Sequence, residues 1–186
     1  MKSWARDLLI NLATNHIDRF LTSVTPWELD QLKVAFEKGL LREESGFLFL
    51  PDGRRWSLMT VNKEYITHIA IYSELVGSGQ WHPENIKLEH EYLDLVIFER
   101  GTPVIAVEVK RSETEAAKLV KGLAAVDPLN LPELDRGNDP IRKMKSLLKL
   151  KPKEFWVVSP ERRWTFDVDS SNGTLKLREP NKSEAA

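Results

Sequence analysis

Residues 93–112 read LDLVIFERGTPVIAVEVKRS, and this stretch determines the architecture of the chain. Two apolar, β-branched runs, residues 93–98 and 104–109, flank a short polar connector that contains a glycine and a proline. This pattern predicts a β-hairpin whose strands are buried on both faces. Each run carries one carboxylate, Asp94 in the first and Glu108 in the second. Charged groups in apolar strands are costly unless they are paired or bound to a metal ion, so these two acids mark a candidate site.

The length of the connector decides whether the two acids share a face of the hairpin. With a three-residue loop, Arg100-Gly101-Thr102, Asp94 lies opposite Glu108 on the face that also pairs Phe98 with Val104. A two-residue loop would shift the pairing by one residue and place the acids on opposite faces. The three-residue loop is the one we expect.

Two acids and a neighbouring lysine on one face suit the hydrolysis of a phosphodiester. Directly opposed Cβ atoms lie about 4.5–5.5 Å apart, so that the two carboxylates repel unless one is protonated or a cation lies between them. Oxygen ligands of this kind suit Mg²⁺ or Mn²⁺, and such an ion lowers the pKa of a bound water. Lys110 shares the face of Glu108 because side chains alternate along a strand, and its amine could orient the water or neutralise charge on the phosphoryl group.

The arrangement of Asp94, thirteen further residues and then Glu108-Val109-Lys110 resembles the PD-(D/E)XK nuclease superfamily. The amino-acid sequence of the two strands is most similar to the corresponding sequences of archaeal Holliday-junction resolvases and of the nuclease domains of defence proteins. The resemblance covers residues 62–158, and Leu93 stands where the superfamily often has a proline. It implies a restriction-endonuclease-like fold, in which Asp94 and Glu108 are metal ligands and Lys110 is the catalytic lysine.

A helix predicted over residues 62–76 precedes these strands, and the resemblance implies a further catalytic glutamate near its start. Glu64 is the candidate, with Glu74 as the substitute, although an acid at this position is also favourable simply because of the helix dipole. His68 and His90 could act as bases, but a lone histidine is more often structural. A strand predicted over residues 86–91 carries Glu89 and Glu91, which could approach the site, although acids on a strand are more commonly exposed to solvent.

A basic segment follows the predicted core. Residues 141–153 contain several lysines and no acid, which predicts a helix that docks an apolar face and presents its lysines outward to phosphates. A merely solvated helix face is the alternative. A second cluster, Arg162-Arg163-Trp164, combines charge with a ring that could stack on a base. The residues expected to contact nucleic acid are Arg111, Arg142, Lys143, Lys145, Lys149, Arg162 and Arg163.

The overall pattern predicts an α/β fold (α+β, with a mixed sheet). Residues 61–180 would form the nuclease-like core of a helix, a three-stranded meander, a crossover helix (113–126) and a strand (154–159), followed by a final hairpin. Residues 1–60 would form an N-terminal extension of helices at 3–21 and 26–38 and a hairpin at 46–59. This extension is either a winged-helix-like DNA reader or a unit that packs on the core. Residues 181–186 would be a disordered tail.

Composition bounds the functional classes. Hydrophobic residues make up 41% and charged residues 30% of the 186 positions, which is typical of a globular domain. The net charge of −1 means that any binding of nucleic acid must rely on a local patch. Cysteine is absent, which excludes disulfides, thiolate zinc sites and cysteine nucleophiles. Without a signal-peptide segment or an apolar run of about 20 residues, a cytoplasmic location is expected, with no membrane partner and a possible homodimer.

The sequence therefore predicts a Mg²⁺- or Mn²⁺-dependent endo- or exonuclease, with DNA as the expected substrate. Two alternatives stay open. One is a catalytically weak or inactive module that binds nucleic acid with the nuclease fold. The other is a structural or partner-binding subunit of a defence or repair complex. In the plainest interpretation, Glu108 and Lys110 form an ordinary ion pair at a solvated edge.

Overall fold

The computed structural model describes residues 24–44, 47–52, 55–59, 63–134, 137, 139–169, 171 and 174–178. The predicted helix at residues 3–21 and the predicted disordered tail lie outside these residues. The described part of the chain is α+β, with four α-helices, a three-stranded sheet and a six-stranded mixed sheet. The helices are α1 (Pro26–Glu37), α2 (Lys63–Gly77), α3 (Glu113–Ala124) and α4 (Asp139–Leu150). The strands are β1 (Arg42–Glu44), β2 (Phe47–Asp52), β3 (Arg55–Met59), β4 (Ile86–His90), β5 (Leu93–Glu99), β6 (Thr102–Val109), β7 (Glu154–Val158), β8 (Arg163–Asp169) and β9 (Thr174–Leu177).

The N-terminal elements pack on the large sheet. Helix α1 begins at the predicted cap, where Thr25 and Glu28 form a reciprocal capping box with Pro26 at the first helical position. Strands β2 and β3 form the hairpin that the sequence predicts, and β1 is an additional strand paired with β2. Leu32 of α1 and Leu50 of β2 are buried in the same hydrophobic cluster as α2 and the first strands of the large sheet. Hence α1 and β2 share a core with α2 and the large sheet.

The large sheet follows the predicted order of elements. Strands β4, β5 and β6 form an antiparallel meander, and the chain then crosses over through α3 and α4 to β7, which pairs in parallel with β6. Strands β8 and β9 extend the sheet as the final hairpin. The basic helix is shifted toward the N-terminus relative to the prediction. It stops at Leu150 because Lys151 takes a left-handed φ of 55° and precedes Pro152, whose ring disfavours the helical conformation before it.

Both faces of the sheet are covered. Helices α1 and α2 pack on one face, in a cluster that includes Ile69, Leu95 and Val107. Helices α3 and α4 pack on the other face, in a cluster that includes Ala106 and Leu147. The prediction that the β5–β6 hairpin is buried on both faces is therefore confirmed. None of the helices in the described residues has the length and apolar character needed to cross a bilayer.

The turn of the β5–β6 hairpin differs from the prediction. It has two residues, Arg100-Gly101, and both have positive φ (51° and 83°), which is the conformation of the tight hairpin turn that suits strand twist. Beside this turn, Phe98 pairs with Pro103 and not with Val104. The expected three-residue loop is therefore wrong.

A β-bulge nevertheless restores the predicted pairing before the strands reach the site. The register shifts between Ile97 and Phe98, so that Val104 is the extra residue and Val96 pairs with Ala106 as predicted. Without the bulge, the two-residue turn would have placed the two acids on opposite faces. Asp94 and Glu108 are the next residues beyond the last pair of this ladder, Leu95 with Val107.

Candidate active site

Asp94, Glu108 and Lys110 lie together at one end of the large sheet. A carboxylate oxygen of Asp94 accepts a hydrogen bond of 2.5 Å from the backbone N–H of Val109, which ties the end of β5 to the end of β6. Lys110 directly follows β6, and its Nζ donates a hydrogen bond of 2.6 Å to Oε1 of Glu108. Its backbone N–H donates to the carbonyl of Val158 on β7, which holds the segment against the sheet. The structure thus brings the three predicted residues into one cluster.

Glu108 is buried, with 1% of its surface exposed, and it lies between two lysines. Lys143 of α4 is 2.7 Å from Oε2 but lacks the angular geometry of a hydrogen bond, so that Oε2 has an ion pair and no hydrogen bond. The prediction that Lys143 points outward is wrong. Lys143 is 7% exposed because it lies on the buried face of α4, four residues before Leu147, and its Nζ also donates to the carbonyl of Tyr92. Since Glu108 is buried, the plain interpretation of a solvated ion pair does not hold either.

Burial sets the protonation of the two acids. The pKa of Glu108 is raised to about 7, mainly by desolvation and also by the nearby Asp94, while the charges of the two lysines oppose the shift. Desolvation likewise raises the pKa of Asp94 to about 6, against the hydrogen bond from Val109. For Lys110, burial alone would lower the pKa, but Glu108, Asp139 and Asp94 outweigh it and the pKa is raised. Lys110 is thus an ammonium at neutral pH, beside two carboxyl groups that ionise reluctantly.

Two further carboxylates lie next to Lys110. Oε1 of Glu64, at the start of α2, is 3.9 Å from Nζ, and Oδ2 of Asp139, at the start of α4, is 3.6 Å from it. Glu64 therefore reaches the cluster as predicted. The substitute, Glu74, does not, because its carboxylate binds the indole of Trp27 and the guanidinium of Arg163. Asp139 belongs to the cluster although no motif in the sequence indicates it.

A third strand contributes Glu89 to the cluster. It falls between the β4–β5 pairs Leu88–Leu95 and His90–Leu93, which places it opposite Asp94. The acids Glu89, Asp94 and Glu108 therefore lie on three adjacent strands. Although the Glu89 side chain is exposed, partial desolvation of its carboxylate raises its pKa, and the charges of Glu108 and Glu64 raise it further. Glu89 also has a φ of 49°, a left-handed conformation that costs a residue with a Cβ about 1–2 kcal/mol.

His68 of α2 completes the group. It is 2% exposed, and one nitrogen of its ring hydrogen-bonds with the backbone of Asp94, while Nε2 is buried without a hydrogen-bond partner. Burial lowers the pKa of His68 to about 4, so that the ring is neutral. Ligand atoms of His68, Glu89 and Asp94 all lie within 4.8 Å of one another, which is close enough to hold a metal ion.

The charges in this cluster do not balance. Five carboxylates, from Glu64, Glu89, Asp94, Glu108 and Asp139, face the ammonium groups of two lysines, Lys110 and Lys143. Excess negative charge in a partly buried site favours either protonation or a bound cation. The donor set and its unpartnered nitrogen therefore fit a divalent metal ion.

The sequence indicated His68 only as a possible base and Glu89 only as a nearby acid, although two simple signals would have placed both in this cluster. His68 lies four residues after Glu64, so that both side chains project from the same face of α2. Glu89 lies opposite Asp94 if the β4–β5 turn has two residues, and Glu91 and Tyr92 form such a turn, both with positive φ.

An open cleft of about 760 Å³ leads to Lys110 between α3 and α4. Lys118 and Lys121 of α3 line it together with Asp139. The two helices approach closely in the lining of this cleft, where a Cβ placed on Gly122 would lie 2.5 Å from the ring of Pro140. Neither lysine was among the predicted contacts to nucleic acid.

The residues predicted to contact nucleic acid already have partners within the protein. Arg111 pairs with Glu115 on α3 at 2.5 Å, and Lys149 pairs with Glu91 at 2.7 Å. Lys145 donates to the carbonyl of Glu133. The remaining arginines lie over aromatic rings, Arg142 over Tyr92, Arg162 over Trp164 and Arg163 over Trp156.

Comparison of the chain with models of protein families, with curated proteins and with solved structures found no match.

Proposed function

We propose that the protein is a metal-dependent nuclease that hydrolyses phosphodiester bonds, with DNA as the expected substrate. One observation carries this proposal. Asp94 and Glu108, at the ends of neighbouring strands, lie beside Lys110 in a cluster whose carboxylates outnumber its ammonium groups. A buried pair of acids with raised pKa values and an adjacent lysine is poorly suited to a purely structural role, because satisfied apolar packing would be more stable.

The order of elements supports a restriction-endonuclease-like core. A helix (α2), an antiparallel meander (β4–β6), a helical crossover and a parallel strand (β7) occur in the order that the resemblance to the PD-(D/E)XK superfamily implies. In this proposal, Asp94 would be a ligand of the divalent cation, and Glu108 would lie next to Asp94 at the same site. When bound, such an ion polarises the phosphodiester and lowers the pKa of a coordinated water.

Lys110 acts through its charge in this proposal. Its pKa is raised, so it remains an ammonium and cannot serve as a general base at neutral pH. The hydrogen bond to Glu108 fixes Nζ in the lining of the cleft, where it can donate to a phosphoryl oxygen or to the attacking water. Lys143 has a different role, because it lies deeper, against Oε2 of Glu108, and stabilises that buried carboxylate.

The cleft between α3 and α4 is the proposed path of the substrate backbone. Lys118 and Lys121 line the cleft that also contains Lys110. Lysines arranged in this way attract phosphates without reading bases, so affinity for the backbone rather than sequence specificity is expected.

The test is cleavage of supercoiled plasmid with Mg²⁺ or Mn²⁺, with and without a chelator. We expect nicking that requires the metal and is lost in Asp94→Asn. The matched control is Asp167→Asn, which removes an exposed carboxylate that pairs with Arg178 on the last hairpin. Equal nicking by both variants, or nicking in the presence of the chelator, would overturn the proposal.

A second candidate is a nucleic-acid-binding module that keeps the fold and does not cleave. The favouring observation is that both oxygens of Glu108 lie within 2.7 Å of a lysine ammonium, so that neither is free. Salt-sensitive binding of DNA by the wild type, with no product in either metal, would select this alternative.

A further inference from the structure

We propose that His68, through Nε2, is a ligand of a divalent cation that Glu89 and Asp94 also hold, and that this nitrogen makes the site prefer a transition-type cation such as Mn²⁺ over Mg²⁺. The inference deepens the proposed function, on which its catalytic consequence rests, but the binding of metal can be measured without cleavage.

The state of His68 is the first argument. A buried polar atom normally has a hydrogen-bond partner, and Nε2 of His68 has none although the residue is 2% exposed. The ring is held on both sides, by the bond to the backbone of Asp94 and by parallel stacking on Tyr65 at 6.0 Å between centroids. A backbone partner on one ring nitrogen is the usual way in which proteins orient a metal-binding histidine, since it leaves the lone pair of the other nitrogen for the metal.

The convergence of three different elements is the second argument. His68 comes from α2, Glu89 from β4 and Asp94 from β5, and their ligand atoms lie within 4.8 Å of one another. Helix α2 packs on the face of the sheet that carries Leu95 and Val107, which brings the imidazole to the end of the strands. Glu89 is exposed, so that the open side of the group faces solvent and can admit an ion with its water.

The type of ligand decides the type of cation. Mg²⁺ binds almost exclusively to oxygen, whereas an imidazole nitrogen adds affinity for first-row transition ions. The set also differs from the predicted pair of Asp94 and Glu108. It retains Asp94 but replaces Glu108, whose oxygens lie 2.6 Å and 2.7 Å from the ammonium groups of Lys110 and Lys143.

The test uses Mn²⁺ as the probe and the purified full chain. Titration followed by electron paramagnetic resonance gives the affinity, competition with Mg²⁺ gives the preference, and pulsed measurements detect the hyperfine coupling of a directly bonded ¹⁴N. We expect a nitrogen coupling in the wild type and its loss in His68→Gln. The matched control, His82→Gln, changes a histidine that caps the 3₁₀ turn Pro83–Asn85 and lies outside the group.

Glu89→Gln keeps the test independent of folding, because this side chain is exposed whereas His68 is buried. We expect it to weaken Mn²⁺ binding by about tenfold or more, as the loss of a metal-supporting group commonly does. Absence of Mn²⁺ binding, bound Mn²⁺ without nitrogen coupling, equal affinity for Mg²⁺, or unchanged affinity in Glu89→Gln would each overturn the inference.

The outcomes separate this inference from the proposed function. Bound Mn²⁺ with a nitrogen coupling but no plasmid cleavage would support the proposed metal site and contradict the proposed nuclease activity. Metal-dependent cleavage, with bound Mn²⁺ that shows no nitrogen coupling, would support the proposed nuclease activity and contradict the proposal that His68 is a metal ligand.

Discussion

Among the described residues, two glutamates are buried beside lysines, Glu28 and Glu108, and their surroundings differ. The carboxylate of Glu28 accepts hydrogen bonds from the backbone and side chain of Thr25, from the hydroxyl of Thr67 at 2.6 Å and from Lys63. Glu108 has two lysines but also faces Asp94, and its Oε2 has no hydrogen bond.

Burial of a charge therefore does not by itself mark a functional site. At Glu28, the donors satisfy the carboxylate and tie the start of α1 to α2, which is a structural role. At Glu108, neighbouring acids add negative charge that the two lysines do not neutralise. The excess of charge and the unsatisfied atoms are what distinguish a site for a cation.

The strongest effect that we expect is the loss of activity when Lys110, which pairs with Glu108, is replaced. Lys110→Met should reduce plasmid cleavage by about 10²–10³-fold, because it removes the charge that, in the proposed function, acts on the phosphoryl group. The matched control, Lys176→Met on the exposed hairpin strand β9, should cleave like the wild type. Retention of most of the activity in Lys110→Met would show that Lys110 has only a structural role, as Lys63 has beside Glu28.

The second prediction concerns stability at Glu28. Lys63→Met leaves a buried carboxylate without its cation and should lower the free energy of unfolding by about 3 kcal/mol, as for broken buried pairs. Cleavage per folded molecule should be unchanged. Urea unfolding and a plasmid assay on the same preparation measure both quantities. A loss of activity without a loss of stability would reverse the roles that we assign to the two glutamates.

The third prediction is a dependence of stability on pH at Glu108. The folded-state pKa values of Asp94 (about 6) and Glu108 (about 7) are raised above 3.8 and 4.5, mainly by burial. The folded protein therefore holds protons that the unfolded chain releases. The stability from these groups is complete below the unfolded pKa values and is lost as pH rises toward 7.

Unfolding in urea at pH 4.5, 5.5 and 7.5 measures this loss. Between pH 4.5 and 7.5, the free energy of unfolding of the double variant Asp94→Asn/Glu108→Gln should rise relative to that of the metal-free wild type. We expect this relative gain to be on the order of 3 kcal/mol. Mn²⁺ should stabilise the wild type and reduce the difference. Stability curves that stay parallel from pH 4.5 to 7.5 would indicate that Glu108 is as well satisfied as Glu28.

Part of this molecule could be predicted from the sequence, because it depends on neighbours along the chain. The capping box at Thr25 and Glu28, the hairpins and the crossover all have local signals. The meeting of Asp94, Glu108 and Lys110 also followed from strand alternation, although the predicted loop was wrong and the bulge at Val104 compensated for it.

The remaining features depend on packing between distant elements. Lys143 points inward because α4 docks with that face against the sheet, where Glu108 accepts its charge. His68 approaches Asp94 only because α2 packs on the sheet, whereas Glu89 approaches it because β4 pairs with β5. The spacing of Glu64 and His68 and the length of the β4–β5 turn are local signals, but the docking of α2 and α4 on the sheet has no signature within a single helix or strand.

The weakest effect that we expect concerns the cleft. Lys118→Gln/Lys121→Gln should weaken the binding of double-stranded DNA several-fold at low salt. It should also reduce the slope of log affinity against log salt by up to about 2, since each phosphate that a lysine neutralises adds about 0.9 to that slope. Lys33→Gln/Lys176→Gln removes two lysines that do not line the cleft, one half-buried and paired with Glu37 and one exposed, and serves as the control. Identical slopes for the two double variants would contradict the proposal that the substrate backbone lies in this cleft.

Crystals soaked in Mn²⁺ give the sharpest measurement, through their anomalous difference density. We predict a peak within bonding distance of the Asp94 carboxylate and no peak near Glu28. A fully occupied soak without density at Asp94, with Lys110 and Lys143 still paired to Glu108, would contradict the claim that the excess negative charge of this cluster is there to hold a cation.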